Sequence, residues 1–173
     1  MTAPPPRSTA PSNAQRAGVA VDFGVADATR LDEFADRFDP VVDSAFYHVF
    51  VDDREIQGQY MRALHRATKS GARLFMFEFG RHHVNGIHFE GLAANNFEQV
   101  LPSSGWGALI TLEPRRTKPL SHDTIANMSR VRGRRDVADR MKPLQDQLRV
   151  IAPLLENHRV HMPFWTVAAT RLG

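Results

Sequence analysis

Apolar and polar positions between residues 40 and 80 alternate in blocks that predict a strand, a helix and a second strand. The run 40–44 is apolar and ends on a polar pair, which is typical of a buried strand with polar groups at its carboxyl end. Residues 53–68 carry apolar side chains at helical spacing, and 69–71 supplies the basic turn and glycine that end a helix. A second strand is predicted over 74–77, followed by Glu78, Phe79 and Gly80.

This unit has about the minimum length for a parallel crossover. In open parallel sheets ligands sit outside the carboxyl ends of the strands. We therefore expect residues 43–48 and 78–83 to face one site, and function is to be sought there.

The segment before this unit predicts a further strand. Residues 13–17 are expected to be the last turn of a helix capped by Gly18. Val19, Val21, Phe23 and Val25 then alternate in phase, which predicts a strand over residues 19–25 that ends at Asp27. A connection with one helical turn is expected over 31–38.

The second half predicts a loop, two helices and two strands. Residues 81–96 contain two glycines and three asparagines and are expected to form a long loop, a candidate lid. A short helix is predicted over 97–101, a strand over 108–112 and a long helix over 136–156. Pro143 and Pro153 predict a kink and an irregular end in that helix. The final strand is predicted over 163–172.

Composition narrows the class of protein. A chain of 173 residues that is 42% hydrophobic predicts one domain with a core, over residues 13–173, after a disordered proline-rich tail at 1–12. The absence of cysteine excludes disulfides, thiolate catalysis and cysteine-ligated metals. The sequence has neither a long apolar run nor a secretory leader, so we expect a cytoplasmic protein with no membrane partner. The net charge of +3 is spread along the chain without interleaved stacking aromatics, so no nucleic-acid partner is expected.

Two segments of the chain also carry a resemblance to a known family. The sequences FDPVVDSAFYHVF and YMRALHRATKSGARLFMFEFG resemble the middle of class I S-adenosylmethionine-dependent methyltransferases, with the turn at 69–72 a mild departure from the family's K-P-G-G pattern. The similarity extends in order from about Asn13 to Leu172. It implies an α/β, Rossmann-like sheet, mostly parallel, with a C-terminal antiparallel strand between its two predecessors. It also implies S-adenosylmethionine as cofactor and a small-molecule methyl acceptor as partner.

The resemblance assigns candidate site residues. It implies that Asp27 accepts the adenine amine while the Ala28 amide reaches the ring, and that Asp43, Ser44 and Ala45 line the sulfonium end. Candidate substrate-binding residues are the side chains that follow the two strands, namely Tyr47, His48, Phe79, Arg81 and His82. His48 is also the candidate general base, since imidazole titrates near neutral pH.

Each assignment has a simpler structural alternative. Asp27 and Asp43 are equally suited to capping turns, and Tyr47 and His48 to packing. His82, His83 and His88 invite a metal site, but their spacing matches no known ligand set and no carboxylate or thiolate completes it. We therefore expect no metal, and a metal-dependent hydrolase is a remote alternative.

The first half of the family's sheet has no counterpart in this sequence. The glycine-rich turn after the first strand and the acidic end of the second are both missing. In the family order 3-2-1-4-5-7-6, their loss leaves the strand at 40–44 as an edge, so we expect either closure by residues 19–25 or a homo-oligomer through this edge. An in-frame glycine-rich turn upstream of the start codon would mean that Met1 is misplaced or the gene split.

Two functional hypotheses follow. The first is a methyltransferase-like protein, truncated at its N-terminus, that acts on a small molecule. The alternative is a non-catalytic remnant or interaction domain of the same fold.

Overall fold

Helices and strands alternate along the computed structural model, which describes residues 10–84, 87–89, 91–115, 135–155 and 162–173. Within these ranges, three single turns of 3-10 helix supplement them at Asp32–Phe34, Tyr47–Phe50 and Ala152–Leu154. The α-helices are α1 (Ala10–Ala17), α2 (Arg54–Ala67), α3 (Ala94–Ser103) and α4 (Arg135–Ile151). The strands are β1 (Val41–Ser44), β2 (Arg73–Phe79), β3 (His82–Val84), β4 (Ile87–Phe89), β5 (Trp106–Arg115) and β6 (Met162–Arg171).

Four of the strands form one sheet in the order β1-β2-β6-β5. β1 and β2 are parallel, whereas β6 runs antiparallel to both of its neighbours. β5 therefore points the same way as β1 and β2, so three of the four strands share a direction. The α/β sheet and the insertion of the last strand between its two predecessors are confirmed, in the order implied for the family's last four strands.

Helix α2 connects β1 to β2 because its sequence supplies both a cap and an apolar face. The Asp53 carboxylate accepts hydrogen bonds from the Glu55 and Ile56 amides, which satisfies two of the helix's free N–H groups. Tyr60, Met61, Leu64 and Ala67 are buried along one side. The helix thus covers one face of the sheet, where its burial supplies most of its stability.

The two faces of the sheet differ in burial. Met76 and Val167 lie side by side on the face that packs on α2 and α3, and both are fully buried. On the other face Val42, Phe75, Ala168 and Leu109 form a row across the four strands. Val42 is 62% exposed and Leu109 is 71% exposed. The core therefore lies on one side of the sheet only, among the residues described.

The strand predicted over residues 19–25 is wrong. These residues have no strand pairing, and Val19, Val21, Phe23 and Val25 are all exposed. Alternation specifies a strand only where a neighbouring strand can satisfy its backbone groups, and β1 does not pair with this segment. The expected closure of the β1 edge by this segment is wrong for the same reason.

Several boundaries also differ from the predicted ones. Helix α1 begins at Ala10, inside the segment expected to be a disordered tail, and residues 1–9 lie outside the described residues. The predicted loop at 81–96 instead contains the antiparallel pair β3 and β4, followed by α3 from Ala94. The irregular helix end near Pro153 is confirmed, since α4 passes into a 3-10 turn at Ala152–Leu154. The kink expected near Pro143 stays a prediction.

Among the described helices, none combines the length and apolar character needed to cross a membrane.

Candidate functional site

The carboxyl ends of β1 and β2 lie side by side, as predicted for parallel neighbours. Ser44 pairs with Phe77, and the Ala45 amide donates a hydrogen bond to the Phe77 carbonyl at 2.9 Å. Ala45 then adopts a left-handed conformation with φ of 58°, which is unfavourable for a residue with a Cβ. This sharp turn leads directly into the 3-10 helix Tyr47–Phe50.

The Glu78 carboxylate holds this turn in place. Its Oε1 accepts hydrogen bonds from the Phe46 and Tyr47 amides, each at 2.9 Å. Its Oε2 lies 3.3 Å from the His48 amide nitrogen and 2.9 Å from His48 Nδ1. Glu78 is fully buried, and its single side chain at the tip of β2 satisfies the amides that follow β1.

Asp43 is a second buried carboxyl group beside Glu78. Its Oδ1 accepts a hydrogen bond from the Phe46 amide, and its Oδ2 accepts one from the Tyr60 hydroxyl, both at 3.0 Å. Burial first, and then the neighbouring Glu78 charge, raises the pKa of Asp43 to about 7. Burial also raises the pKa of the Tyr60 hydroxyl. Asp43 therefore caps the turn, as its structural alternative anticipated.

His48 lies at the boundary between this polar cluster and solvent. Its side chain is 28% exposed. The ring packs edge-on against Phe79, with centroids 4.9 Å apart, and Phe79 in turn packs against Phe164 at 4.7 Å. The geometry therefore brings together two of the predicted substrate residues, His48 and Phe79.

Tyr47 is enclosed in the core. Its side chain has no exposed surface, its hydroxyl donates to Asn96 Oδ1 at 2.8 Å, and its ring stacks on Phe97. The Asn96 amide donates onward to Gln57 Oε1 at 2.8 Å. The Tyr47 side chain therefore packs in the core, as its structural alternative anticipated, and a role in substrate binding stays a prediction.

Asp27 forms a separate exposed turn. Its Oδ1 accepts hydrogen bonds from the Thr29 hydroxyl at 2.7 Å and the Thr29 amide at 2.9 Å. The hydrogen bond from the Thr29 hydroxyl has the larger effect and the one from the Thr29 amide the smaller, and both lower the pKa of Asp27 below its usual value. Ala28 packs against the hydrophobic core. This short turn therefore presents the ionised Asp27 carboxylate to solvent, and the packing of Ala28 anchors the turn to the core.

Arg81 and His82 follow the end of β2. Arg81 is exposed, and its amide donates to the Leu92 carbonyl at 2.8 Å. The backbone of His82 lies in β3. In the described part of the chain, no group of three or more histidine, aspartate or glutamate side chains is placed to hold a metal ion.

Two cavities lie elsewhere on the molecule. One, of about 340 Å³, lies over the open face of the sheet and is lined by residues that include Phe75 and Leu109. The other, of about 290 Å³, is lined by Thr29, Arg30, Gln59, Arg62 and Arg66. Neither includes a residue from the tips of β1 and β2.

Glu78 lies in the segment 78–83 that the sequence places at the site, but the sequence alone assigned it no role. Its signal is present in the pattern of β2, where Leu74 and Met76 are the two preceding core-facing positions. A carboxylate at the third such position breaks an otherwise apolar series. A buried charge of this kind requires several donors, which points to a structural or functional cluster.

Comparison with solved structures identifies the fold. The chain is similar to a SAM-dependent methyltransferase from Methanosarcina mazei, with a TM-score of 0.53 and 13% identity over 87% of this chain and 67% of the other. It is also similar to the 1,6-didemethyltoxoflavin-N1-methyltransferase of Burkholderia thailandensis, solved with bound 1,6-didemethyltoxoflavin and S-adenosylhomocysteine, with a TM-score of 0.52 and 13% identity over 99% and 59%. The chain is similar as well to the [4+2]-cyclase SpnF, with a TM-score of 0.58 and 17% identity over 95% of this chain and 62% of the other.

Similarity is confined to the level of the fold. No protein-family model matches the sequence, and no curated protein matches it significantly. The chain spans 67%, 59% and 62% of the lengths of these three structures, respectively. The sheet order and these comparisons together show that the chain has the Rossmann-like α/β fold of the class I SAM-dependent methyltransferases.

Proposed function

We propose that this chain is an S-adenosylmethionine-dependent methyltransferase-like protein that acts on a small molecule. The observation that carries the proposal is the parallel pairing of β1 with β2, which brings the turn at Ala45 and the side chains of His48 and Phe79 to one end of the sheet. Ligands of open α/β sheets bind at this end. The fold shared with methyltransferases supports the same assignment.

The residues present fit the nucleoside end of the cofactor. Asp27 is exposed and ionised, and its hydrogen bonds to Thr29 fix its orientation, so it is suited to accept from an adenine amine. The exposed Ser44 and the turn at Ala45 would line the sulfonium end. Asp43 faces the core and would act through the shape of the turn.

The acceptor would bind beside His48 and Phe79. Arg81, exposed just after β2, is suited to an anionic group on that acceptor, and His82 follows it in sequence. His48 would take the acceptor's proton. A bound sulfonium supplies an activated methyl group, so the protein's own contribution is alignment of the acceptor and exclusion of water.

The alternative function is a non-catalytic interaction domain of the same fold. It is favoured by the exposed apolar side chains at 19–25 and by Val42 on the sheet edge. The family elements that hold the methionine and ribose also have no counterpart in this sequence. The two functions differ in whether a nucleoside pocket exists.

Calorimetric titration with S-adenosylhomocysteine separates the two functions. The methyltransferase-like function predicts micromolar affinity, which is weakened about tenfold when Asp27→Ala removes one hydrogen bond to a charged acceptor. Asp22→Ala, an exposed substitution five residues earlier, is the matched control and should leave affinity unchanged. A folded chain that shows no binding at millimolar ligand would overturn the methyltransferase-like function and leave the interaction domain as the alternative.

A further inference from the structure

We propose that Glu78 is the positioning residue for His48. It holds the imidazole with its hydrogen on Nδ1 and leaves the Nε2 lone pair free to take a proton from the acceptor. The proton transfer rests on the proposed function, whereas the position of the hydrogen does not.

The hydrogen is placed by the other partners of the carboxylate. The amides of Phe46, Tyr47 and His48 all converge on Glu78, and an amide N–H can only donate. The carboxylate is therefore an acceptor toward its surroundings. When Glu78 is ionised, His48 Nδ1, at 2.9 Å from Oε2, completes the set as a fourth donor, because two acceptors at that distance would repel.

The orientation of the His48 ring is fixed, as well as the position of its hydrogen. The edge-on contact with Phe79 restricts rotation about the ring's χ angles, and Phe164 supports Phe79 from the neighbouring strand. With Nδ1 turned toward a buried carboxylate, Nε2 occupies the opposite edge of a ring that is 28% exposed. No hydrogen bond from the described residues reaches Nε2.

This arrangement indicates the chemistry of the acceptor. A free Nε2 is useful where the acceptor loses a proton as it gains a methyl group, as with a phenolic or enolic hydroxyl or a ring N–H. The acceptor's O–H or N–H bond breaks and its hydrogen joins Nε2. With a bound sulfonium donor, the acceptor atom's electron pair would form the bond to the methyl carbon, and the carbon–sulfur pair would return to sulfur as a neutral thioether. The resulting imidazolium lies next to the Glu78 carboxylate, which stabilises its charge.

The wild-type protein provides the first test. Two-dimensional ¹⁵N–¹H spectra of the histidine rings, recorded at a pH where His48 is neutral and assigned with His48→Gln, report which nitrogen carries the hydrogen. We expect Nδ1–H to predominate. A predominant Nε2–H form would overturn the proposal without any substitution at Glu78.

Glu78→Gln provides the second test. The glutamine oxygen can still accept from the Phe46 and Tyr47 amides, but its NH₂ group then faces His48 Nδ1 and turns that nitrogen into an acceptor. We expect the neutral ring to switch to Nε2–H, and kcat to fall about 10²-fold with little change in the KM of the acceptor. Glu98→Gln, the same change at an exposed position of α3, should alter neither the position of the hydrogen on the His48 ring nor kcat. A Glu78→Gln protein that keeps Nδ1–H, or loses no activity after the switch, would overturn the proposal.

The outcomes separate this inference from the function on which it rests. Failure to bind S-adenosylhomocysteine with Nδ1–H intact would overturn the methyltransferase-like function and the proton transfer, and would leave the hydrogen assignment in place. Binding with a predominant Nε2–H ring would overturn the role of Glu78 alone.

Discussion

Asp43 and Glu78 place two buried carboxyl groups next to each other at the carboxyl ends of adjacent parallel strands. They are 3% and 0% exposed, respectively, and the Phe46 amide donates to both. Two neighbouring carboxylates in a buried site disfavour double ionisation, and Asp43 is the member whose pKa is raised, to about 7. Below that pH Asp43 holds a proton, and the hydrogen bonds from the turn between β1 and α2 to Glu78 tie that turn to β2.

The titration of Asp43 makes stability depend on pH. Its pKa is about 7 in the folded protein and near 3.8 when unfolded, so the native state binds more protons between these values. The stability that this group contributes is fully present below pH 3.8 and is lost as pH rises to about 7. Asp43→Asn mimics the protonated form, so above pH 7 we expect it to raise the free energy of unfolding by on the order of a few kcal/mol.

Urea unfolding of wild type and Asp43→Asn from pH 4 to 8 measures this effect. The difference in free energy of unfolding should grow with pH and level off above about 7. Asp22→Asn, which removes the same charge from an exposed position, controls for net charge. A constant difference across this range would contradict the shared-proton arrangement.

The N-cap of α2 is a separate contribution to stability. Asp53→Ala removes the acceptor for the Glu55 and Ile56 amides and should lower the free energy of unfolding by about 1 kcal/mol. Asp53→Ser keeps a capping oxygen and should retain most of that stability. Thermal unfolding of the two variants checks the prediction, and equal losses would mean that charge rather than capping accounts for the role of Asp53.

Self-association through the β1 edge remains a prediction. β1 pairs with β2 on one side and has no other partner strand among the described residues, and Val42 is 62% exposed on it. An unpaired apolar edge favours pairing with another chain. We expect a concentration-dependent dimer by size exclusion with light scattering, which Val42→Lys abolishes and Val150→Lys, at a 75% exposed position on α4, does not. A wild-type monomer at all concentrations would exclude this edge as an interface.

The elements that the sequence predicted correctly are those in which local and tertiary signals agree. Residues 53–68 carry a cap, an apolar face and a glycine stop, and α2 follows that prediction closely. The strand at 40–44 was also predicted correctly, because an apolar run followed by polar residues marks a strand and its tip. Its predicted burial was wrong, since β1 is an edge strand of the described sheet on which Val42 is exposed. In contrast, residues 19–25 have the local pattern of a strand without a partner, and pairing cannot be read from one segment.

The candidate site was predicted in outline and missed in its central group. His48 and Phe79 come together because parallel strands align their ends, which the sequence predicts. Glu78 was placed at this site without a role, because three of its partners are backbone amides 30–32 residues away, and backbone amides leave no trace in a sequence. The burial of Tyr47 was left open by the sequence, because an aromatic residue after a strand is equally compatible with the core and with a pocket.

The location of the nucleoside pocket is the central claim, and chemical-shift mapping tests it most directly. S-adenosylhomocysteine titrated into ¹⁵N-labelled protein should shift the amides of Ser44, Ala45 and His48, which follow the tip of β1, and that of Asp27 in its exposed turn. Leu109 and Thr170, which line the cavity on the open face of the sheet, should be unaffected. Shifts confined to that cavity, or no shifts at millimolar ligand, would contradict the account.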